Sequence, residues 1–384
     1  MKLFSQIIII SFSYFLISCQ SYKYTYVVGT LTPEDAKEYQ LDPNFYKKVT
    51  KVQNILIATS KTVSDNTHRE TAYLFDMMMK RVKPEIAQRV RDQAILCILV
   101  AHNELTSDIP HFKTKKTGKD LDFYNWRSRG FLTKKNKRFT VFFAEEDVLE
   151  YNGGSHNESI LIHEFGHVIH KAGFDKVYED RLKATYKVAM DKGLWRDGRA
   201  AQRFRRIESN DVPVSVLDAL VKSFPKVPKN LLVKCLDHGD ITINDKKVNA
   251  QAKAIKKDDI FIVFGGEKAC YATVNRAEYF AEGFQIWYDT NRTMDHDHNH
   301  ITTRKQLIEY DPMLAKLCED IQGNSAWRFV SPRQRGGQDH LIDFDPAESP
   351  TKVSPDFIRV AALDYYDKYW EKYWERLAKK HNIN

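Results

Sequence analysis

Three features of this 384-residue sequence predict an α+β fold. The composition, 42% hydrophobic and 29% charged, is that of a globular chain long enough to bury a large core. Two short apolar runs, Ile95–Ala101 and Phe139–Ala144, have the length of buried strands, and a polar stretch rich in Lys and Gly separates them. Longer stretches on either side carry their apolar residues at helical spacing. No internal repeat is present.

Taken in order, Lys2 precedes an apolar run, Leu3–Ile17, of signal-peptide length and too short to span a bilayer comfortably. It ends in Leu16-Ile17-Ser18-Cys19, which resembles the bacterial lipobox, where cleavage leaves Cys19 as a lipid-modified N-terminus. The expected organisation is a signal peptide over 1–18, an exposed tether over 19–45 punctuated by Pro33 and Pro43, and a folded domain over 46–384. Such a chain sits outside the cytoplasm, at the periplasmic or cell surface, with a lipid as its membrane contact. No second apolar stretch is long enough to span a membrane.

Residues 46–90 are expected to be helical, with Ile55, Leu74, Met77 and Met78 among the apolar positions, followed by the two strands. Phe139–Ala144 is the expected edge strand, free to pair with an extended peptide. Asn152-Gly153-Gly154-Ser155 breaks the chain. Ser155 and Glu158 then form a capping box that starts a helix about two turns before His163. Basic helices and a small hairpin near Ile241–Val248 are expected between 175 and 265, then a helix over 272–288 and another from Thr303. The tail, 355–380, reads as a long amphipathic helix. Its stripe of Leu363, Tyr366, Trp370, Tyr373, Trp374 and Leu377 is best explained by core packing.

The net charge is +8, with basic runs at Lys113–Lys119, Lys134–Arg138 and Arg196–Arg206. Such runs are usually solvated faces, and without a nucleic-acid module signature they predict no nucleic-acid partner; an acidic substrate or an anionic envelope surface fits them. Cys97, Cys235, Cys270 and Cys318 lack metal-site spacing and are either paired or buried free thiols; the sequence leaves that open.

The chemistry is concentrated in His163-Glu164-Phe165-Gly166-His167. Helix positions i and i+4 lie about 40° apart around the axis, so both imidazoles leave one face and can share one Zn²⁺. Glu164 is placed to take a proton from a water activated by that ion. A catalytic zinc usually has three protein ligands. A third His at 173 is excluded because that residue is Gly173, whereas Glu278 and Glu282, at i and i+4 in Asn275-Arg276-Ala277-Glu278-Tyr279-Phe280-Ala281-Glu282-Gly283-Phe284, offer one ligand and one supporting carboxylate. His170, one turn beyond His167, reads as a packed or exposed non-ligand, with a supporting contact behind the metal ligands as the alternative. His296, His298 and His300 alternate in a polar loop where a second metal or a cleft contact is an open alternative.

HEFGH followed by EYFAEGF resembles the catalytic domain of the anthrax-lethal-factor-like zinc metallopeptidases, a family that includes the Pro-Pro endopeptidases. The resemblance covers about 90–175 and 265–310. It implies a zincin-like fold with a small mixed sheet and an active-site helix. It also implies zinc ligands His163, His167 and Glu278, a general base Glu164, a supporting Glu282, and Tyr271 as donor to the oxyanion. The long interval between His167 and Glu278 departs from the family and is expected to hold an inserted helical subdomain over about 172–264. The function implied is a zinc-dependent endopeptidase of the bacterial envelope acting on peptide or protein substrates. The alternatives are a zinc hydrolase of cell-wall peptides or amides, and a non-catalytic surface-binding lipoprotein with a structural zinc.

Overall fold

The computed structural model describes residues 25–383, except 136, 157, 197, 207–214, 244–245, 250–259, 293–296 and 353–371. Cys19 and the preceding apolar run lie outside the described residues, as do His296, Leu363, Tyr366 and Trp370. No helix among the described residues is long and apolar enough to cross a membrane.

A six-stranded mixed sheet organises the chain. β1 (Gly29–Thr30), β2 (Lys48–Val52) and β3 (Ile55–Thr59) pair antiparallel. β3 runs parallel to β4 (Leu96–Val100), which runs parallel to β6 (Arg138–Ala144). β5 (Phe131–Lys135) closes the order β1-β2-β3-β4-β6-β5, antiparallel to β6. Along β4 and β6, Cys97, Leu99, Val141 and Phe143 face the main core, while Leu96, Ile98, Phe142 and Ala144 face a second cluster with Tyr39, Leu41 and Tyr46. Strands buried on both faces read as continuous apolar runs, which is why these two were legible. The expected edge strand is therefore interior: β6 has β4 on one side and β5 on the other, and the free edge belongs to β5.

Two further expectations are corrected. Residues 48–59 form a hairpin rather than a helix. Gln53 and Asn54 at its tip take positive φ (49° and 61°), the left-handed turn a two-residue hairpin needs. The expected tether also folds from Gly29 onward. Pro33 begins α1 (Pro33–Tyr39) at the helix start, where its missing N–H costs nothing, and Tyr39 and Leu41 are buried.

Helices cover the main-core face of the sheet. α2 (Asp65–Met79) and α3 (Pro84–Asp92) follow the hairpin; α4 (Gly118–Arg127) and the short α5 (Glu145–Val148) flank β5 and β6. α6 (Ile160–Val168) and α7 (Lys176–Asp191) come next in the chain. Phe75 and Phe165 stack at 4.7 Å between α2 and α6. The lead into β5 is clamped by Arg129, which is buried, pairs with Glu146 (Nη2 to Oε2 2.8 Å) and donates to the carbonyls of Ala101 and Glu104.

The interval after α7 holds more strand than the helical insertion with one small hairpin expected over 172–264. α7 itself belongs to the main core through Tyr178, Leu182 and Ala189, as does Trp195. Beyond it, β7 (Gly198–Arg206), α8 (Val216–Ser223), α9 (Lys229–His238), β8 (Ile241–Ile243), β9 (Lys246–Lys247) and β10 (Ile260–Lys268) include a four-stranded sheet ordered β7-β10-β8-β9. The expected hairpin is β8–β9. Leu220, Leu232, Leu236 and Ile241 form a separate cluster, joined by Tyr373 and Leu377 from a helical segment over 372–380. That part of the aromatic stripe is core packing. α10 (Arg276–Trp287), α11 (Arg304–Tyr310) and α12 (Pro312–Gln322) return to the main core, with Thr303 and Gln306 capping α11. Cys97, Cys235 and Cys318 are buried free thiols, and Cys270 is buried as well.

His68 on α2 is buried between the hydroxyls of Thr50 (3.1 Å) and Thr59 (2.8 Å). Burial pushes its pKa down from 6.5 to about 3. Between those values the unfolded chain binds more protons than the folded one, so stability falls as pH falls. Urea unfolding is expected to register a loss of about 2 kcal/mol from this residue between pH 7 and pH 5. A His68→Gln variant, weaker at pH 7, is expected to show a smaller difference between the two.

Candidate metal centre

The helix carrying HEFGH starts later than the sequence suggested. Ser159 is its N-cap, accepting from Ile162 N at 3.3 Å, so the helix begins one turn before His163. Ser155 instead donates its backbone N–H to Asp147 (2.7 Å), and Glu158 is buried in an ion pair with Arg292 (2.8 Å). On the other side, Asn275 caps α10 by accepting from the backbone N–H groups of Ala277 (2.8 Å) and Glu278 (3.1 Å).

The two helices touch through Gly166. A Cβ built there would lie 3.1 Å from Phe284 Cβ and 3.2 Å from Ala281 Cα. Glycine in mid-helix is costly by propensity, and here it lets α6 settle against the backbone of α10. That contact brings His163, His167 and Glu278 together. His163 Nε2 is 3.2 Å and His167 Nε2 3.0 Å from Glu278 Oε2.

These separations suit a metal. Ligand atoms about 2.05 Å from a tetrahedral zinc stand about 3.3 Å apart, within a few tenths of an ångström of the values here. The donor set, two imidazoles and a carboxylate, is of the kind zinc takes. Three buried or half-buried carboxylates (Glu164, Glu278, Glu282) around two imidazoles also form an anionic surrounding that a dication would balance.

A second layer fixes the first. His163 Nδ1 lies 3.0 Å from Gln285 Oε1 and 3.1 Å from Glu282 Oε1, so a proton there leaves Nε2 with its lone pair toward Glu278. Asn291 donates to Glu282 Oε2 (3.0 Å), and His298 Nε2 lies 3.5 Å from the same oxygen. Gln285 donates to Thr290 O at 2.8 Å. Gln285 and Asn291 were missed from sequence, although Glu278, Glu282 and Gln285 at i, i+4 and i+7 share one helical face. Of the His-rich loop, buried His298 braces Glu282, and His300 sits edge-on to Tyr310.

The carboxyls are tuned apart. Burial alone would raise Glu278, but hydrogen bonds from His163 and His167 hold it down at about 2. Burial opposes ionisation of Glu282 too, yet His298 and His163 keep it well below the usual carboxylate range. Burial raises Glu164, which makes no hydrogen bond among the described residues, while the neighbouring imidazoles pull the other way. Tyr271 opens a 3-10 turn, with its backbone N–H bonded to Asp297 O (2.7 Å) and its ring 6.1 Å from that of His163. Burial and the Glu278 charge push its phenol up to about 12, so it remains a donor at neutral pH.

His170 is not in this group. It lies in the wider turn that ends the helix and bonds Glu179 at 2.8 Å. A cleft of about 440 Å³ opens over the cluster, lined by Gly130–Lys134 of the β5 edge, Glu164, His167, Tyr271 and Glu278. A Cβ on Gly130 would come within 3.8 Å of Glu164 Oε1 and 2.7 Å of Ile160 Cγ2, so the strand edge passes directly over the acid.

A second set, Cys235, Asp240 and His381, also lies close together. There both Asp240 oxygens are engaged, by Lys380 and His381 at 2.7 Å each, and burial pushes the Cys235 thiol up to about 12. That set is a polar clasp between α9 and the C-terminal segment. The sequence matches no protein-family model, and neither a curated protein nor a solved structure matches it.

Gly166→Val is expected to cost about 3 kcal/mol in chemical denaturation, since Ala281 Cα is backbone and cannot turn aside. Gly166→Ala meets the same contact but gains about 1 kcal/mol of helix propensity, so its net effect is smaller.

Proposed function

We propose that this chain is a zinc-dependent endopeptidase of the bacterial cell envelope, zincin-like in fold, similar to the anthrax-lethal-factor-like peptidases, and lipid-anchored through Cys19. The observation that carries the reading is the convergence of His163 Nε2 and His167 Nε2 on one oxygen of Glu278, with Glu164 buried beside them at the floor of an open cleft. His163, His167 and Glu278 would hold the zinc. When bound, the ion supplies Lewis acidity, polarising a carbonyl and lowering the pKa of water.

The remaining steps belong to the chain. Glu164, raised by burial and free of hydrogen bonds among the described residues, accepts the proton of the attacking water and returns it to the leaving amine. Tyr271 donates its phenolic proton in a hydrogen bond to the oxygen of the scissile carbonyl as charge develops there. Gln285 and Glu282 hold the His163 ring in one orientation and tautomer. The free edge of β5 offers backbone groups to an extended peptide, which favours a polypeptide substrate over a small amide.

The deciding experiment incubates zinc-loaded protein, residues 20–384, with a diverse peptide library and sequences the products. Glu164→Gln is expected to lose about 10³-fold in kcat/KM while retaining one zinc per chain. Undiminished metal-dependent turnover by that variant would refute the mechanism. Tyr271→Phe is expected to lower kcat about 10²-fold with little change in KM. Gln285→Leu should weaken zinc binding about tenfold or more in a competitive chelator titration.

A further inference from the structure

The cleft over the metal centre is the middle of a longer groove. Around the β5 edge it shares Gly130–Thr133 with a hollow of about 570 Å³, and past α10 it shares Lys171, Asn275 and Ala277 with one of about 700 Å³. The charge along this path is one-sided. Lys113, Arg127 and Lys135 line the first hollow, Lys134 and Lys171 the cleft, and Lys183 the second hollow.

All six are exposed, and none has a carboxylate within ion-pair distance among the described residues. The only acids lining the path there are Glu164 and Glu278 at the centre, and Asp191, which is tied to Lys187 at 2.5 Å. Six lysines elsewhere on the surface, Lys48, Lys51, Lys80, Lys176, Lys316 and Lys380, each meet an acid within 3.0 Å, whereas others such as Lys61 and Lys119 do not, so what marks the groove is that its unpaired cations line one path. Cations of one sign lining a cleft raise the local positive potential and so favour an anionic ligand there.

Strand geometry says where that something lies. Successive residues of β5 point to opposite faces, so Lys134 turns into the cleft while Lys135 faces the neighbouring hollow. A chain laid along the β5 edge advances about 3.3 Å per residue. Lys134, four residues from Gly130 above Glu164, would therefore meet a side chain about four residues from the reacting bond. Lys171, one turn beyond His167, lies on the α10 side of the cluster, so cations stand on both sides of the centre.

We infer that the groove selects extended polypeptide segments carrying Asp or Glu on both sides of the cleaved bond. This deepens the peptidase reading and rests on it. The test uses fluorescein-labelled ten-residue peptides identical but for Glu or Gln at alternate positions. Their binding to zinc-loaded Glu164→Gln protein is measured by anisotropy, and their cleavage by the parent protein is followed in parallel. The Glu peptide is expected to bind about tenfold more tightly at low salt, with the ratio approaching one near 0.5 M NaCl.

The combined variant Lys134→Glu, Lys135→Glu, Lys171→Glu is expected to bring the ratio to one or below. Equal binding of the two peptides, no binding of either, or a preference that survives the triple variant overturns the inference. Cleavage without an acidic preference would overturn it while leaving the peptidase standing. An acidic preference in binding with no cleavage of either peptide would do the reverse.

Discussion

The contact of α6 with α10 through Gly166 is the constraint on which the centre depends. Two capped helices supply all three candidate metal ligands, and each cap fixes where its helix begins: Ser159 for α6, Asn275 for α10. Once the starts are fixed, His163 and His167 face one way and Glu278 the other. The distance between them is then set by how closely the helices approach. Helix axes usually pack about 8–10 Å apart, and the nearer end of that range requires small residues at the contact. Gly166 provides this opposite Ala281, and Gly283, two residues on and about 200° around the helix, admits Leu314 of α12 from behind. α10 is therefore held from both sides.

Bringing those helices together buries charge, and the resolution of that cost divides the labour. Glu278 and Glu282 are each met by imidazoles and remain anions. Glu164 sits one residue along from His163 but turns toward the cleft, where neighbouring charges reach it and hydrogen bonds among the described residues do not. Three carboxyls of similar intrinsic acidity thus differ through their surroundings: two are held as anions within the cluster, and the third is raised by burial and left open to the cleft, as the proposed proton transfer requires. His298, Asn291 and Gln285 belong to the holding part, because each closes a hydrogen-bonding position on Glu282 or His163.

Much of the centre was legible because its signals are short and local. The i, i+4 spacing of His163 and His167, the i, i+4 spacing of Glu278 and Glu282, and the two apolar strands all follow from periodicity within one element. What was lost depended on longer range. Residues 48–59 alternate weakly, and their turn is Gln53-Asn54 rather than a glycine-bearing pair, so the hairpin read as helix. β5 was invisible because two of its five residues, Lys134 and Lys135, are exposed and basic, as befits an edge, and the edge role fell to its apolar neighbour β6. The Ser155–Glu158 pattern met the local rule for a cap, but Arg292, more than a hundred residues away, claims Glu158. Local rules lose when a buried charge has a partner they cannot see.

The separation of 111 positions from His167 to Glu278 looks like a burden on the site, yet the energetics argue otherwise. Loop-closure entropy grows only logarithmically, by about 0.6 kcal/mol for each doubling of length. What matters is whether the ends of the interval are fixed near the site, and they are. α7 follows α6 and packs in the main core, and its Tyr186 hydroxyl donates to Thr273 O (2.8 Å) just before α10. Cys270 N bonds Trp195 O at 2.8 Å, and the Trp195 indole N–H donates to Asp311 (2.9 Å), which also receives the Tyr279 hydroxyl of α10. The chain therefore departs and returns at one place, stitched across its neck by residues of both arms. Beyond the neck, α8, α9 and β8 satisfy their apolar faces in a cluster of their own. A segment so tied can vary in length and content without moving Tyr271 or Glu278.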